Sequence, residues 1–433
     1  MQSLLNFKLE STNEKLTPRT GVSILGEYLK GMNLEEFCNA NLPKAKRNNG
    51  YSAFQFIYPL ILMLHSGGRF LDDIREIKVD KALTTLLKIE NIPTASAFSK
   101  YLCKHGIKGE EGMRKINKKF LKRFLKSIKG EDLILDIDAT FIEAHKSTAM
   151  WSYKDAPGYM PMVGHINGGY VIDVDFREGN EAPAKENLEF IKQCQQQLPL
   201  GKKFDRVRID SAGYQASIFN YCDKEEILFT VTAKKNKNVF ESIKDMKNDE
   251  WAIFSKREKV AEFTHTMQDT DNAFRMIVIK KDITPALPTL EEYISDEVMM
   301  QHQDEIYYCI ATNDNNLSPE EIIKLHRQRG ETSENKIKEL KNGFNMSYLP
   351  SSNFEANAFY FQIGTLAYNL FLLFKQILDK NLQKHTVKTI RYKLYNIAGK
   401  VVSHARDTIL KVNEEFIELL QRIRRLAYEE SLQ

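Results

Sequence analysis

The sequence predicts an α/β protein with a core of alternating strands and helices, a helical region before it and a β-rich segment inserted into it. Three observations predict this class. Short apolar runs alternate with helical patterns over residues 131–232, as in proteins built on an α/β sheet. Residues 1–130 carry apolar side chains at helical spacing, and residues 233–304 contain runs with the composition of strands.

The bulk composition indicates a soluble protein of two or three domains. The chain has 433 residues, which is too many for one ordinary compact domain. Its formal net charge is only +4, so binding to nucleic acid would depend on local clusters of basic residues. The N-terminus lacks the apolar stretch of a signal peptide, and no apolar run is long enough to span a membrane. The five scattered cysteines indicate reduced thiols, so we expect a cytoplasmic protein.

Residues 1–130 are expected to form an all-α domain. Ser52–Leu64 is strongly apolar, and Leu71–Leu87 places apolar residues at helical spacing. Ala95–Leu102 is a candidate second helix of a helix-turn-helix, with a plain core helix as the alternative.

The segment Met113–Lys129 predicts an amphipathic helix with a basic outer face. It has eight Lys or Arg residues in 17 positions, and its apolar residues recur every three or four. The basic residues are candidates for contacts with a phosphate backbone, and a solvated helix face is the alternative. The candidates are Lys118, Lys119, Lys122 and Arg123.

Beyond residue 130 the pattern changes to strands. The predicted strands of the core and of the inserted segment are Leu133–Thr140, Gly169–Phe176, Arg206–Asp210, Ile227–Thr232, Trp251–Phe254, Val260–Thr266, Phe274–Lys280 and Glu305–Ala311. A helix is predicted over Ala184–Gln197, between the second and third of these strands.

Two acidic sites lie on these strands. Asp136 and Asp138 project to one side of an otherwise apolar strand, where a divalent cation would be the natural partner of buried carboxylates. Asp210 ends a strand just before a Gly-containing turn, at the edge where α/β sheets gather functional groups. Edge-strand and turn roles are the alternatives for these residues.

A third acidic site lies on a predicted long helix. Ser318, Pro319 and Glu321 form a helix-start signal, and Asn342-Gly343 is a stop signal. The 3.6-residue period predicts one charged face and one face of apolar or small residues. The alternative for the charged face is that it is only solvated and held by ion pairs. The charged face comprises Arg327, Glu331, Glu334, Lys338 and Lys341. The second face comprises Ile323, Gly330, Ser333, Ile337, Leu340 and Phe344.

Carboxylates from two strand ends and a helix suit phosphodiester chemistry with two metal ions about 3.5–4 Å apart. Mg²⁺ prefers oxygen ligands and keeps several waters, so few protein ligands suffice. The sequence therefore predicts a two-ion magnesium site, in which Mn²⁺ would be able to substitute.

The ordered motifs resemble the DDE transposases of bacterial insertion sequences, in the group with a Tyr-Arg-Glu-Lys signature. The motifs are LDIDAT at residues 135–140, Asp-Ser-x-Gly-Tyr at residues 210–214 and HRQRGETSENKIKELKNGF at residues 326–344. The resemblance covers roughly residues 130–380. It implies an RNase H-like core with a β-rich insertion before the last acid. The domains expected on this basis are 1–130 (helical, DNA-binding), 131–232 (first part of the core), 233–304 (insertion), 305–380 (last strand and catalytic helix) and 381–433 (C-terminal region for dimerisation or DNA contact).

The resemblance also implies roles for individual residues. Asp138, Asp210 and Glu334 would be the catalytic residues and metal ligands, with Asp136 as an alternative ligand. Arg329 and Lys341 would contact DNA near the reacting phosphate. The family pattern is Y-x2-R-x3-E-x6-K.

Two positions depart from that pattern. His326 stands where the family has Tyr, and Arg329 precedes Glu334 by five residues rather than four. Keeping the register from His326 would put Ser333 at the catalytic position. Arg327 could substitute for Arg329, and Lys338 is a further basic residue on the charged face.

The implied function is DNA transposition. The protein would bind the inverted-repeat ends of an insertion sequence as a homodimer, cleave double-stranded DNA and transfer it to a target, with a cut-and-paste outcome. The alternatives are a non-transposing nuclease of the same fold and a catalytically inactive DNA-binding protein derived from a transposase.

Overall fold

The computed structural model describes residues 5, 8–44, 50–128, 130–282, 301–302, 305–404 and 407–432. The chain forms two compact units, one of residues 1–116 with 339–433 and one of residues 117–338. Both contain helices and strands, so the predicted mixture of α and β structure is confirmed.

The helices and strands are numbered along the chain. The helices are α1 (Thr20–Gly31), α2 (Leu34–Asn41), α3 (Ala53–Ser66), α4 (Ile74–Val79), α5 (Lys81–Leu86), α6 (Ala95–Ser127), α7 (Asn187–Gln197), α8 (Ala216–Lys224), α9 (Lys237–Asp245), α10 (Pro319–Arg327), α11 (Asn335–Lys338), α12 (Phe354–Gln376), α13 (Lys380–Gln383), α14 (Val387–Ile390) and α15 (Glu414–Ser431). The strands are β1 (Lys15–Thr17), β2 (Ile134–Ala139), β3 (Ile142–Glu143), β4 (Met150–Trp151), β5 (Pro157–Tyr159), β6 (Met162–Ile166), β7 (Tyr170–Asp175), β8 (Arg206–Ile209), β9 (Leu228–Thr232), β10 (Ala252–Ser255), β11 (Glu258–His265), β12 (Phe274–Asp282), β13 (Gln301–His302), β14 (Glu305–Thr312), β15 (Gly399–His404) and β16 (Asp407–Val412).

The first unit joins the two ends of the chain. Its core includes α3, which Ser52 and Gln55 cap reciprocally, and α12, which is buried along most of its length. The strand β1 pairs with β15, and β15 pairs with β16. The prediction that residues 1–130 are all-α is therefore wrong. The strand β1 pairs with a strand that lies nearly 400 residues later, and local sequence patterns do not reveal so distant a partner.

The segment Ala95–Leu102 is not a separate helix of a helix-turn-helix. It is the beginning of α6, a single helix of 33 residues that also includes the predicted basic helix as far as Ser127, and Lys129 lies outside the described residues. Gly106 and Gly109 lie inside α6 and do not interrupt it. Their lack of a side chain lets another segment of the chain pack closely against the helix. A Cβ at Gly106 would lie 2.4 Å from Glu355, and one at Gly109 would lie 2.3 Å from Phe359.

The second unit is built on a mixed sheet of ten strands within the described residues. The order is β10-β11-β12-β14-β9-β8-β2-β6-β7, and β13 pairs with β14. In its centre β8 pairs parallel with both β2 and β9, whereas β2 with β6 and β6 with β7 are antiparallel. Each predicted strand of the core is present, and β6 is an additional strand that the sequence reading missed.

The β-rich insertion contains the three predicted strands, here β10 to β12. They extend the central sheet, because β12 pairs antiparallel with β14 along its whole length. Val260 of β11 and Ile277 of β12 pack with Ile322 and Ile323 of α10, together with Ile310 of β14. This apolar cluster positions α10 beside the sheet.

Two further expectations concern the whole chain. None of the five cysteines, all of which lie in the described part, forms a disulfide. Among the helices formed by the described residues, none combines the length and the apolar character that a membrane crossing requires.

Candidate active site

Asp138 and Asp210 leave the central sheet at one edge. Ile137 of β2 lies opposite Ile209 of β8 in a parallel pair, so the residue that follows each of them reaches the same end of the sheet. Asp138 is half-buried on β2. Asp210 caps the turn Ser211–Gly213, and its Oδ1 accepts from the Ala212 amide at 3.0 Å. Asp210 therefore directly follows β8 and precedes the Gly-containing turn, as predicted.

Glu334 lies on an irregular helical segment. The start signal is confirmed, because Ser318 and Glu321 form a capping box at α10. The predicted single helix is wrong, however, since α10 ends at Arg327 and a π-turn follows over Gly330–Glu334. In that turn the Asn335 amide donates to the Gly330 carbonyl, five residues earlier. A second π-turn spans Glu339–Gly343.

The π-turn accounts for the five-residue spacing between Arg329 and Glu334. A loop closed by an i to i+5 bond takes one residue more than an α-helical turn, so residues five apart lie on the same side. The Arg329 Nη2 is 4.0 Å from Glu334 Oε1, and its Nη1 is 3.6 Å from Asp138 Oδ2. Ser333, by contrast, is fully buried. This arrangement favours Glu334 over Ser333 as the residue beside Arg329, and its catalytic role stays a prediction.

The Arg329 guanidinium is the positive charge on which the neighbouring carboxylates act. Burial lowers the pKa of its guanidinium, but Asp138, Asp210, Asp136 and Glu334 together raise that pKa above its ordinary value. The same groups act on Asp138. Burial raises the pKa of the Asp138 carboxyl to about 7, Arg329 opposes this, and Asp210 and Glu334 raise it further. The structure thus places Asp138 and Glu334 beside one cation, and Asp210 acts on both Asp138 and Arg329 through its charge.

The π-turn leads to a prediction about Gly330. Deleting Gly330 restores the four-residue spacing, and we expect the π-turn to become an α-helical turn without moving the flanking segments. The melting temperature should stay unchanged or rise. Deleting Lys324 inside α10 is the control. It would rotate one part of the helix by about 100° against the other and lower the melting temperature by about 5 °C or more. Equal losses in the two variants would show that the turn does not absorb an inserted residue.

The partner of Asp136 is the side chain of Arg208 and not the predicted divalent cation. Its two carboxylate oxygens accept from Nε and Nη2 of Arg208, each at 2.7 Å, and both side chains are buried. The Arg208 Nη1 also donates to the Leu325 carbonyl of α10. Asp136 thus pairs with a guanidinium across neighbouring strands, which disfavours it as a metal ligand. Arg208 was not predicted as a residue of this site, although an arginine inside the buried strand Arg206–Ile209 is a signal that it needs a buried partner.

His326, which stands where Tyr was expected, is a buried core residue. Its ring nitrogens lie 3.2 Å from the Thr230 hydroxyl and 3.0 Å from the Thr232 hydroxyl of β9. Burial, aided by Arg329 and Arg208, lowers the pKa of its imidazole to about 3. His326 therefore joins α10 to the sheet as a neutral ring.

A comparison with protein families identifies the family of this chain. The family model described as transposase DDE domain, group 1, matches residues 3–427. The chain belongs to this transposase family. A search of curated proteins found no match.

The basic residues predicted near Glu334 have separate surroundings. Arg327 pairs with Glu258 of β11 through two bonds of 2.9 and 3.2 Å, and its guanidinium lies over the Phe254 ring. It is Arg329, not Arg327, that lies beside Glu334. Lys338 is exposed at the end of α11. Lys341 lies in the second π-turn, where burial lowers the pKa of its ammonium group.

The basic residues of α6 are on its outer face, as predicted. Lys119 and Lys122 are exposed, and Arg123 is half-buried. The Lys118 ammonium donates to the Gln196 carbonyl at the end of α7. The inner face is apolar, since Met113, Ile116, Phe120 and Phe124 are among the buried residues. The amphipathic pattern is confirmed, and contact with DNA stays a prediction.

The carboxylates fit a divalent cation in kind. Asp138, Asp210 and Glu334 supply the hard oxygen donors that Mg²⁺ prefers, and Mg²⁺ needs few protein ligands. Within the described residues, no three His, Cys, Asp or Glu side chains lie close enough together to hold an ion as they stand. The Arg329 guanidinium, between Asp138 and Glu334, supplies the balancing positive charge in this arrangement.

Proposed function

We propose that the protein is an active transposase whose catalytic residues are Asp138, Asp210 and Glu334. The observation that carries this proposal is that Arg329 lies 3.6 Å from Asp138 and 4.0 Å from Glu334, while Asp210 follows the strand next to the one that carries Asp138. Clustering like charges in a partly buried place disfavours the ionised forms, and such arrangements are typical of functional sites. Family membership makes DNA the expected substrate.

We further propose that the core is RNase H-like. Support comes from five adjacent strands in the order β7-β6-β2-β8-β9, in which the first three form an antiparallel meander and β2, β8 and β9 run parallel. The inserted strands β10 to β12 extend the same sheet beyond β14, which pairs with β9.

Asp138, Asp210 and Glu334 are proposed to hold divalent cations, with Mg²⁺ as the physiological ion and Mn²⁺ as a substitute. When bound, such ions supply positive charge next to the reacting phosphate oxygens. The carboxylates position that charge at the sheet edge. In this proposal Arg329 exchanges its contacts with Asp138 and Glu334 for a phosphate oxygen, for which its planar guanidinium is well suited.

Other basic residues are proposed to hold the DNA backbone. Phosphate contacts of this kind position a duplex without reading its sequence and weaken with salt. The proposed set comprises Arg327, Lys338, Lys341, Lys118, Lys119, Lys122 and Arg123. In this proposal a homodimer recognises the inverted-repeat ends of a mobile element and moves the element by cutting and pasting.

A second function is favoured by one observation. Because Arg329 lies between Asp138 and Glu334, and the described acids are not grouped at ligating distances, a copy that binds DNA without cutting it is the main alternative. An inactive copy would retain end binding and lose cation-dependent cleavage.

Excision in cells tests the proposal. A selectable marker is placed between the DNA ends that flank the gene, the protein is supplied in trans, and loss and re-insertion of the marker are scored. We expect excision with the intact ends and none with scrambled ends. Binding of the ends without excision would instead establish the DNA-binding alternative. Cleavage that ignores the ends would point to a non-transposing nuclease.

A further inference from the structure

The strand β16 forms one edge of the three-stranded sheet in the first unit. The order of that sheet is β1-β15-β16, and β16 pairs antiparallel with β15 along its whole length. Among the described strands, β16 has no second neighbour. The outer side of its backbone therefore presents N–H and C=O groups with which another strand can pair.

The side chains of β16 alternate between two different faces. Leu410 is half-buried and lies opposite Val401, which is buried, so this face is turned toward the core of the unit. The other face carries Asp407, Ile409 and Lys411, and all three are exposed. Ile409 is 42% exposed. The exposed face thus has an apolar residue at its centre, an acid at one end and a base at the other.

This order of side chains is complementary to itself. When two copies of the strand pair antiparallel about a two-fold axis at Ile409, each Asp407 lies opposite Lys411 of the other copy, and the two Ile409 side chains meet. Moving the axis by half a residue would put Asp407 opposite Val412 and Lys411 opposite Thr408. Because Asp407 and Lys411 are the only charged residues of β16, only the axis at Ile409 pairs opposite charges.

The neighbouring strand gives Lys411 a reason to need a partner. Lys400 of β15 lies opposite Lys411, and like charges directly opposite each other are unfavourable. Lys400 has a counter-ion within the unit, because it pairs with Glu14. In the two-fold arrangement, Asp407 of a second copy supplies the corresponding negative charge to Lys411.

We propose that this edge binds a second copy of the chain, with the two β16 strands antiparallel about a two-fold axis at Ile409. Val402 of β15 lies opposite Ile409, so the pairing forms a row of four apolar side chains across the axis. The inference rests on the proposed function, because it names the interface of the proposed homodimer. A strand pair of this length is a small interface, and DNA ends held by both protomers would strengthen it by raising their effective concentration.

Sedimentation equilibrium of the full chain without DNA tests the charge pairs. Asp407→Lys and Lys411→Asp each bring like charges together at both pairs, so each should weaken the dimer about tenfold or more. A mixture of the two variants should associate as the wild type does, because both charge pairs across the axis are again of opposite sign. The matched control is Glu418→Lys, which changes the net charge equally at an exposed position of α15. It should dimerise like the wild type.

A disulfide tests the position of the axis. Of the five cysteines, all described, only Cys103 is exposed, so Cys103→Ser is the background. Opposite residues of antiparallel strands have Cα atoms about 4.5–5.5 Å apart, which a disulfide can span. A mild oxidant should therefore link the Ile409→Cys variant into dimers. Thr408→Cys is the control and should link severalfold less, because its two copies would lie about 8 Å apart.

Two results would overturn the inference. One is a dimer whose dissociation constant is unchanged in both charge variants, since it must use another surface. The other is a monomeric wild type in which Ile409→Cys links no more than Thr408→Cys even on the DNA ends. Excision in cells reports on the proposed function separately. Excision by the wild type would retain that function without this interface, and absence of excision by a wild type that forms the dimer would overturn the function alone.

Discussion

Asp138→Asn, Asp210→Asn and Glu334→Gln are each expected to lower cleavage of the DNA ends by about 1,000-fold or more. Each change removes one of the negative charges that converge on Arg329 and that are proposed to hold the cations. A thousandfold loss corresponds to about 4 kcal/mol of transition-state stabilisation. Because the three acids act as one unit, a double variant should lose little more activity than a single one.

Stability and binding measurements separate this catalytic role from a structural one. Replacing one of several clustered carboxylates by a neutral amide relieves repulsion, so the melting temperature should not fall. Binding of Mn²⁺, followed by calorimetry, should weaken in each variant. The matched control is Glu320→Gln, because Glu320 lies in the first turn of α10 and is not among the acids that act on Arg329. It should retain cleavage and Mn²⁺ binding.

One result would exclude the proposed set of residues. If Asp210→Asn or Glu334→Gln cleaves the ends at the wild-type rate, that residue is not catalytic. Full activity of Asp138→Asn would exclude Asp138 in the same way and would reopen the assignment of the acid on β2.

The part of this site that the sequence predicted depends on local rules. Strand alternation puts Asp136 and Asp138 on one face, and an acid that directly follows a strand reaches the carboxyl edge of a parallel sheet. The capping signals at Ser318 and Glu321 are also local, and the structure bears them out. For these reasons the location of Asp138 and Asp210 was predictable without knowledge of strand order.

The rest depends on contacts between distant residues. Local sequence patterns do not reveal that β1 pairs with β15 or that β12 pairs with β14, because one strand is compatible with many possible neighbours. The helix that carries Glu334 differs from its prediction for another reason. The 3.6-residue period does not hold across Gly330–Glu334, where the backbone forms a π-turn. The five-residue spacing from Arg329 to Glu334 was the available signal for that irregularity.

Asp136→Ala is expected to be the most destabilising of the substitutions considered, at about 3–5 kcal/mol, because it leaves the buried Arg208 guanidinium without its carboxylate. Arg208 also donates to Leu325, so its rearrangement should loosen α10 beside the site. Both tryptophans of the chain, Trp151 and Trp251, lie in the unit of residues 117–338. Their fluorescence in urea therefore reports the unfolding of the unit that contains Asp136.

An exposed ion pair in the same unit provides the control. Lys203 and Glu226 are 3.4 Å apart, with side chains 50% and 88% exposed. Glu226→Ala should therefore cost no more than about 1 kcal/mol. Adding Arg208→Met to Asp136→Ala should recover part of the lost stability, since it removes the unpaired buried charge. A loss of less than 1 kcal/mol for Asp136→Ala, with no effect of the second substitution, would mean that Asp136 does not serve as the buried counter-ion of Arg208. Its role as an alternative metal ligand would then be open again.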